Sequence, residues 1–233
     1  MLLATAQAFS EMIPELASQD LTVPMRVFML LTALSLAPAF MVSLTSFIRI
    51  IVVMGILRHG LGLGQSPPNQ VLIGLGLMMT MYTMGPVVTE MKTVAYEPFN
   101  SGELSWVDAL DRASVPLKKF MVGQTRDKDL NMFMELQGIE ISNSVETVPF
   151  RVLAPAFMIS ELTTAFTMGF LILIPFLVID LAVAAGLMAI GMIVLPPPTV
   201  SLPIKILVFV LADGWHLVTG ALMQSYGVGG GPL

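Results

Sequence analysis

From Val152 to Leu233 the chain carries only four charged side chains, Glu161, Asp180, Lys205 and Asp213. Two long apolar runs in this region are joined by Pro196-Pro197-Pro198. Roughly 20 apolar residues rising about 1.5 Å each cross a hydrocarbon core of about 30 Å. The tract is therefore built for a bilayer, and its charges must pair, face water or lie outside lipid. An unpaired charge at bilayer depth costs at least about 2.5 to 3.5 kcal/mol. Glu161 and Asp180 have sensible partners in Lys205 and Arg49, within the chain or on a neighbouring copy.

The whole chain agrees with the membrane class. It is 55% hydrophobic and 12% charged, where about 25% charged is usual in soluble domains, and its mean hydropathy is +0.84. A net charge of −5 lacks the basic footprint that nucleic acid requires, so nucleic acid is not expected as a partner. The absence of cysteine excludes disulfides and thiolate metal sites. His59 and His216 are isolated, so no metal and no cofactor is expected. Nineteen methionines supply flexible, polarizable side chains suited to surfaces that seal against changing shapes.

In chain order, residues 1–26 form an N-terminal segment. Ala4-Thr5-Ala6 has the small-residue spacing of a signal-peptide tail without a positive n-region. It reads either as a signal-peptide remnant or as an N-terminal helix. Residues 27–89 form a first apolar hairpin. Its first run, Val27 to Ile48, contains Pro38, which predicts a kink. Arg49, near the end of that run, is expected to snorkel to an interface. Gly60 to Pro68 is a breaker-rich loop, and Val71 to Val88 is the second run.

Residues 90–151 hold ten acidic and seven basic side chains, so this segment is read as a small water-facing helical domain inserted between the hairpins. Ser105 is placed to cap a helix starting at Trp106, with Asp108 in its first turn. Pro116 is expected to open a second helix. A third helix spans about Asp127 to Gln137 and is ended by Gly138. Residues 152–233 form the second apolar hairpin, in which Ala182, Gly186 and Ala189 predict tight helix packing. The basic residues near the hairpin turns place those turns in the cytoplasm and the inserted domain on the periplasmic side.

Chemistry is sparse. Asp180 and Asp213 are the two carboxylates a proton relay or a small-solute transporter would use. In an intramembrane aspartyl protease a glycine would stand where Leu211 does. Nothing in the sequence points to an enzyme. The turn Met192-Ile193-Val194 ahead of the three prolines reads as a buried hairpin turn or, if several copies ring an axis, as a pore constriction.

Several stretches carry a resemblance. Ala154-Pro155-Ala156-Phe157, Ser160-Glu161-Leu162, Ile174-Pro175-Phe176-Leu177-Val178-Ile179-Asp180-Leu181 and Leu211-Ala212-Asp213-Gly214-Trp215 are similar to the FliP family of flagellar export-gate proteins. So are Thr45-Ser46-Phe47-Ile48-Arg49-Ile50 and Gln65-Ser66-Pro67-Pro68. The inserted domain favours the flagellar over the virulence branch. The resemblance implies an all-α membrane protein of two kinked hairpins with an inserted domain, assembled as a helical pseudo-symmetric oligomer. It implies a pentamer joined by FliQ-like and FliR-like subunits, with FlhB, FlhA and FliO-like proteins as further partners. Unfolded protein substrates would cross the bacterial inner membrane through its centre, in the flagellar basal body.

By the same resemblance, Met192, Ile193 and Val194 line the constriction as a gasket, with one methionine where relatives have up to three. Pro196, Pro197 and Pro198 brace it. Arg126 and Lys205 match positions of intersubunit ion pairs, and Glu161, Asp180 and Asp213 join them as intersubunit charge candidates.

Overall fold

The computed structural model describes residues 23–139, 148–192 and 194–227. Among these residues the fold is all helical. The helices are α1 (Val23–Leu44), α2 (Phe47–Gly60), α3 (Asn69–Met91), a π-helical turn (Lys92–Tyr96), α4 (Glu97–Asn100), α5 (Trp106–Gln124), α6 (Asp127–Leu136), α7 (Phe150–Ala189), α8 (Pro197–Leu211) and α9 (Gly214–Gln224). The described residues divide into two compact units. One takes those up to Thr45 together with Pro86–Ile159, and the other takes Ser46–Gly85 together with those from Ser160 onward.

Among the described residues, two helical runs are long and apolar enough to cross a membrane, Asn69–Asn100 and Phe150–Ala189. The second, α7, has 40 residues and is about 60 Å long at about 1.5 Å per residue. It continues through Pro155 and Pro175. Helices α8 and α9 form a third candidate span, bent by 64° at Ala212 and Asp213. Phe166, Phe170, Leu171, Leu177, Val178 and Leu181 on α7 are exposed, as apolar side chains on a membrane helix are when lipid or another helix is their solvent.

The unit containing the charged segment has a conventional core. Ser105 caps α5, its Oγ accepting from the Asp108 amide at 3.2 Å, as the spacing predicts. Gly138 adopts φ +62° just beyond α6, a conformation glycine reaches without a Cβ penalty. α5 and α6 turn their apolar faces onto Met121, Met134, Val148, Val152, Leu153 and Phe157. The Phe120 and Phe157 rings lie 6.0 Å apart.

Pro116 does not open a helix but lies buried inside α5. A proline within a helix costs about 3 kcal/mol, and packing of Leu117, Phe120 and Met121 against the core offsets that cost. The run Val27 to Ile48 is also not one helix. It breaks at Thr45 and Ser46, and α2 starts at Phe47. Ser46 is held at the break, with its hydroxyl on Thr83 and its carbonyl accepting from the Tyr226 hydroxyl at 3.2 Å.

In the second unit, glycines set how closely helices approach. A Cβ on Gly169 would sit 2.4 Å from Cδ1 and 3.1 Å from Cβ of Ile56. A Cβ on Gly60 would sit 2.5 Å from Leu173 Cδ2. Ile50, Val53, Met54 and Leu57 of α2 are fully or almost fully buried. By contrast Ala182, Gly186 and Ala189 are exposed, so the tight packing expected of that stripe is not made within the described residues.

Candidate functional site

The charges of the apolar tract are organised in two places. At the first, α2 supplies Arg49 and α7 supplies Glu161. Arg49 Nε donates to Glu161 Oε2 at 2.9 Å while Nη2 donates to Oε1. This is the two-pronged match of a planar guanidinium to a carboxylate. The side chains are 3% and 0% exposed. Arg49 Nη1 donates to the Ser225 hydroxyl at 3.0 Å and reaches its carbonyl at 3.3 Å. The guanidinium carbon lies 4.0 Å from the centre of the Tyr226 ring, which adds a cation–π contact.

The Tyr226 hydroxyl donates to Glu161 Oε2 at 2.6 Å. Burial, and then the Glu161 carboxylate, push its phenol upward, so it stays a protonated donor. Arg49 therefore does not snorkel. It is buried because a carboxylate, an aromatic face and two oxygens of Ser225 replace its water.

At the second place, α8 supplies Lys205. Its Nζ lies 2.5 Å from Asp180 Oδ2 on α7 and donates to the Gly60 carbonyl at 3.1 Å. Lys205 is buried, but the Asp180 side chain is 40% exposed.

The remaining predicted residues lie elsewhere. Arg126 sits in the other unit, just before α6, and binds Asp129 through Nε at 2.7 Å and Nη2 at 2.6 Å. Asp213 is exposed at the α8–α9 bend with φ +50°, a left-handed conformation in which aspartate is enriched. The next residue must be small, because a Cβ on Gly214 would sit 2.1 Å from the Phe209 ring. Glu161, Asp180, Lys205 and Arg126 thus each have an opposite charge within their own chain.

The turn between α7 and α8 is exposed rather than buried. Gly191 turns the chain at φ +76°. Met192 is 46% exposed and Val194 96%, while Ile193 lies outside the described residues. Pro196 is extended (ψ 122°), and Pro197 and Pro198 form the first turn of α8, where a missing backbone donor costs nothing.

Sequence reasoning placed Arg49 among the partners of the acidic residues but did not single out Ser46, Ser225 or Tyr226. Ser225 lies 176 residues from Arg49, and Tyr226 lies 180 residues from Ser46, so no local spacing links them. The bend at Asp213 did have a signal, the turn-forming Asp-Gly pair.

Membrane-length helices, helices as the regular structure of the described residues, and the pairing of Arg49 with Glu161 and of Lys205 with Asp180 define an all-helical membrane protein. The chain belongs to the FliP family, whose model matches residues 30–222. It is 48% identical over 208 residues to the flagellar biosynthetic protein FliP of Pectobacterium carotovorum, covering 89% of this chain and 81% of that one. It is 43% identical over 218 residues to FliP of Bacillus subtilis, covering 94% and 97%. The FliP of Buchnera aphidicola from Acyrthosiphon pisum is longer. It is 46% identical over 209 residues, which are 90% of this chain and 55% of that protein.

Proposed function

We propose that this chain is the core pore-forming subunit of the bacterial flagellar type III protein export gate. Copies of it, five by family resemblance, surround an axis through which unfolded flagellar subunits cross the inner membrane. FliQ-like and FliR-like subunits complete the gate, and FlhB, FlhA and FliO-like proteins act with it. Much of the assembly stands on the periplasmic side. The relatives' common name, flagellar biosynthetic protein FliP, supports the flagellar setting.

The observation that carries the pore reading is the turn between α7 and α8. A fully exposed valine beside a half-exposed methionine, braced by three prolines, is a poor surface for water. Ringed around an axis, Met192, Ile193 and Val194 exclude ions at rest and part for a chain driven through. Flexible apolar side chains close the gap again afterwards. Asp180, Arg126 and Asp213 act in assembly rather than in chemistry, through the faces that still reach solvent or a neighbouring copy, whereas the enclosed Glu161 and the buried Lys205 act by tying helices together within the chain.

Native mass spectrometry of the chain co-expressed with its presumed neighbours tests the assembly. A five-copy species that takes up FliQ-like chains and a FliR-like chain is expected, and a monomer indifferent to them removes the central pore. Replacing Met192, Ile193 and Val194 together by glycine is expected to raise ion leakage through the assembled gate, and unchanged leakage ends the gasket reading. The competing reading is a small-solute or proton transporter using Asp180 and Asp213, favoured by the partial exposure of Asp180. Uptake lost in Asp180→Asn with assembly intact is the result that supports it.

A further inference from the structure

A groove of about 480 Å³ runs between α5 and the end of the Asn69–Asn100 helix, within the volume range of ligand sites. Its walls are almost wholly apolar and include Met91, Tyr96, Phe99, Trp106 and Ala113. The π-helical turn Lys92–Tyr96 forms one side. Such a turn breaks the α-helical register and is frequent at functional sites. Phe99 and Trp106 meet edge to face at 5.7 Å, which holds one wall in a defined geometry.

We propose that this groove holds an acyl chain of a membrane phospholipid, with the headgroup at Lys92 and Glu97. The groove lies on a membrane-length helix, at the point where the apolar run to Val88 gives way to the charged segment starting at Glu90. That change of composition marks the edge of a bilayer. Tyr96 and Trp106 are 60% and 50% exposed, and amphipathic rings of this kind collect at headgroup level.

The charges beside the groove suit the same ligand, with Lys92 in its lining and Glu97 next to Lys92. Lys92 and Glu97 are both exposed and 3.9 Å apart, an amine and a carboxylate set to meet the phosphate and the amine of a zwitterionic headgroup. The neighbouring Glu90 is paired with Lys119 at 3.7 Å. Val88, exposed on the same helix and also in the groove wall, gives the acyl chain a continuous apolar path from bilayer to groove. The inference does not depend on the export function.

The chain has two tryptophans, Trp106 and Trp215, so Trp215→Phe leaves Trp106 as the only reporter. The full chain is reconstituted into phosphatidylethanolamine–phosphatidylglycerol vesicles doped with phosphatidylcholine brominated along its acyl chain. Trp106 fluorescence is expected to be quenched, and Ala113→Phe, which fills the groove, is expected to remove most of that quenching. Circular dichroism and an unchanged unfolding midpoint verify that this variant folds, with Ala95→Leu as a second filling variant. Native mass spectrometry is expected to show one retained zwitterionic phospholipid fewer in either variant.

Quenching that is absent, or equal in the filled and unfilled chains, overturns the proposal. Shielding of Trp106 that grows with the protein-to-lipid ratio also overturns it, because that result gives the groove to a second copy of the chain.

Discussion

Arg49–Glu161 and Lys205–Asp180 both tie α7 to another helix, yet they are built differently. Around Arg49 every side is protein. The carboxylate is matched by two guanidinium bonds and a tyrosine hydroxyl, and the guanidinium by Glu161, Ser225 and the Tyr226 ring. Around Lys205 one side is open, because Asp180 is 40% exposed and shares its load with water. Desolvating two charges costs several kcal/mol per ion, and only good geometry with further hydrogen bonds returns it. The closed site therefore tolerates the loss of neither partner, whereas the open one has water in reserve. The closed site is suited to fixing the fold of one chain. The open one keeps a carboxylate available to whatever lies beside it.

The largest expected effect is at the closed site. Glu161→Gln strands the Arg49 charge and is expected to cost about 3 to 5 kcal/mol, read from SDS-induced unfolding in mild detergent. The double variant Arg49→Met with Glu161→Met removes both charges and is expected to recover most of that loss. A Glu161→Gln chain as stable as the parent breaks the distinction between closed and open sites. At the open site, Asp180→Asn is expected to cost less, about 1 to 2 kcal/mol, because the amide oxygen still accepts and Lys205 keeps the Gly60 carbonyl. A loss equal to that of Glu161→Gln shows that Asp180 is as poorly hydrated as Glu161.

The membrane class was legible in the chain because long apolar runs have few other uses. The capping of α5 by Ser105 and the stop at Gly138 were legible as well, since both depend on residues within three or four positions. Pro116 misled because a local rule met a tertiary face. Leu117, Phe120 and Met121 needed α5 to continue into the core, and that need exceeded the proline penalty.

Arg49 misled for a related reason. Near the end of an apolar run an arginine ordinarily reaches for water, and only residues 112 and 176 positions away supply the alternative. The order of the break at Ser46 has the same origin, in Thr83 and Tyr226. Of the candidate site, the composition of the turn at Met192 could be read directly. Its exposure could not, because composition does not say whether an apolar turn is covered by a neighbouring helix.

Smaller effects sharpen the comparison further. Tyr226→Phe keeps the ring under the Arg49 guanidinium and removes only the hydroxyl that Glu161 accepts from. One net hydrogen bond to a charged group is worth about 1.5 to 3 kcal/mol, and the lower end applies because Arg49 still holds both carboxylate oxygens. Tyr226→Ala is expected to cost more than Tyr226→Phe, because it also removes the ring that excludes water. If the two variants are equal in the same unfolding measurement, the site is closed by hydrogen bonding alone.

The smallest effect belongs to Lys92–Glu97, with side chains 63% and 56% exposed at 3.9 Å. An exposed pair of this kind contributes about 0 to 1 kcal/mol. Lys92→Gln is expected to leave unfolding in detergent unchanged within error, and a measurable loss there sets it with the structural pairs. Across Glu161, Asp180 and Lys92, the expected loss falls as access to water rises. If that order fails while the geometry holds, then solvent access is not what separates a pair that fixes the fold from one left free to meet a partner.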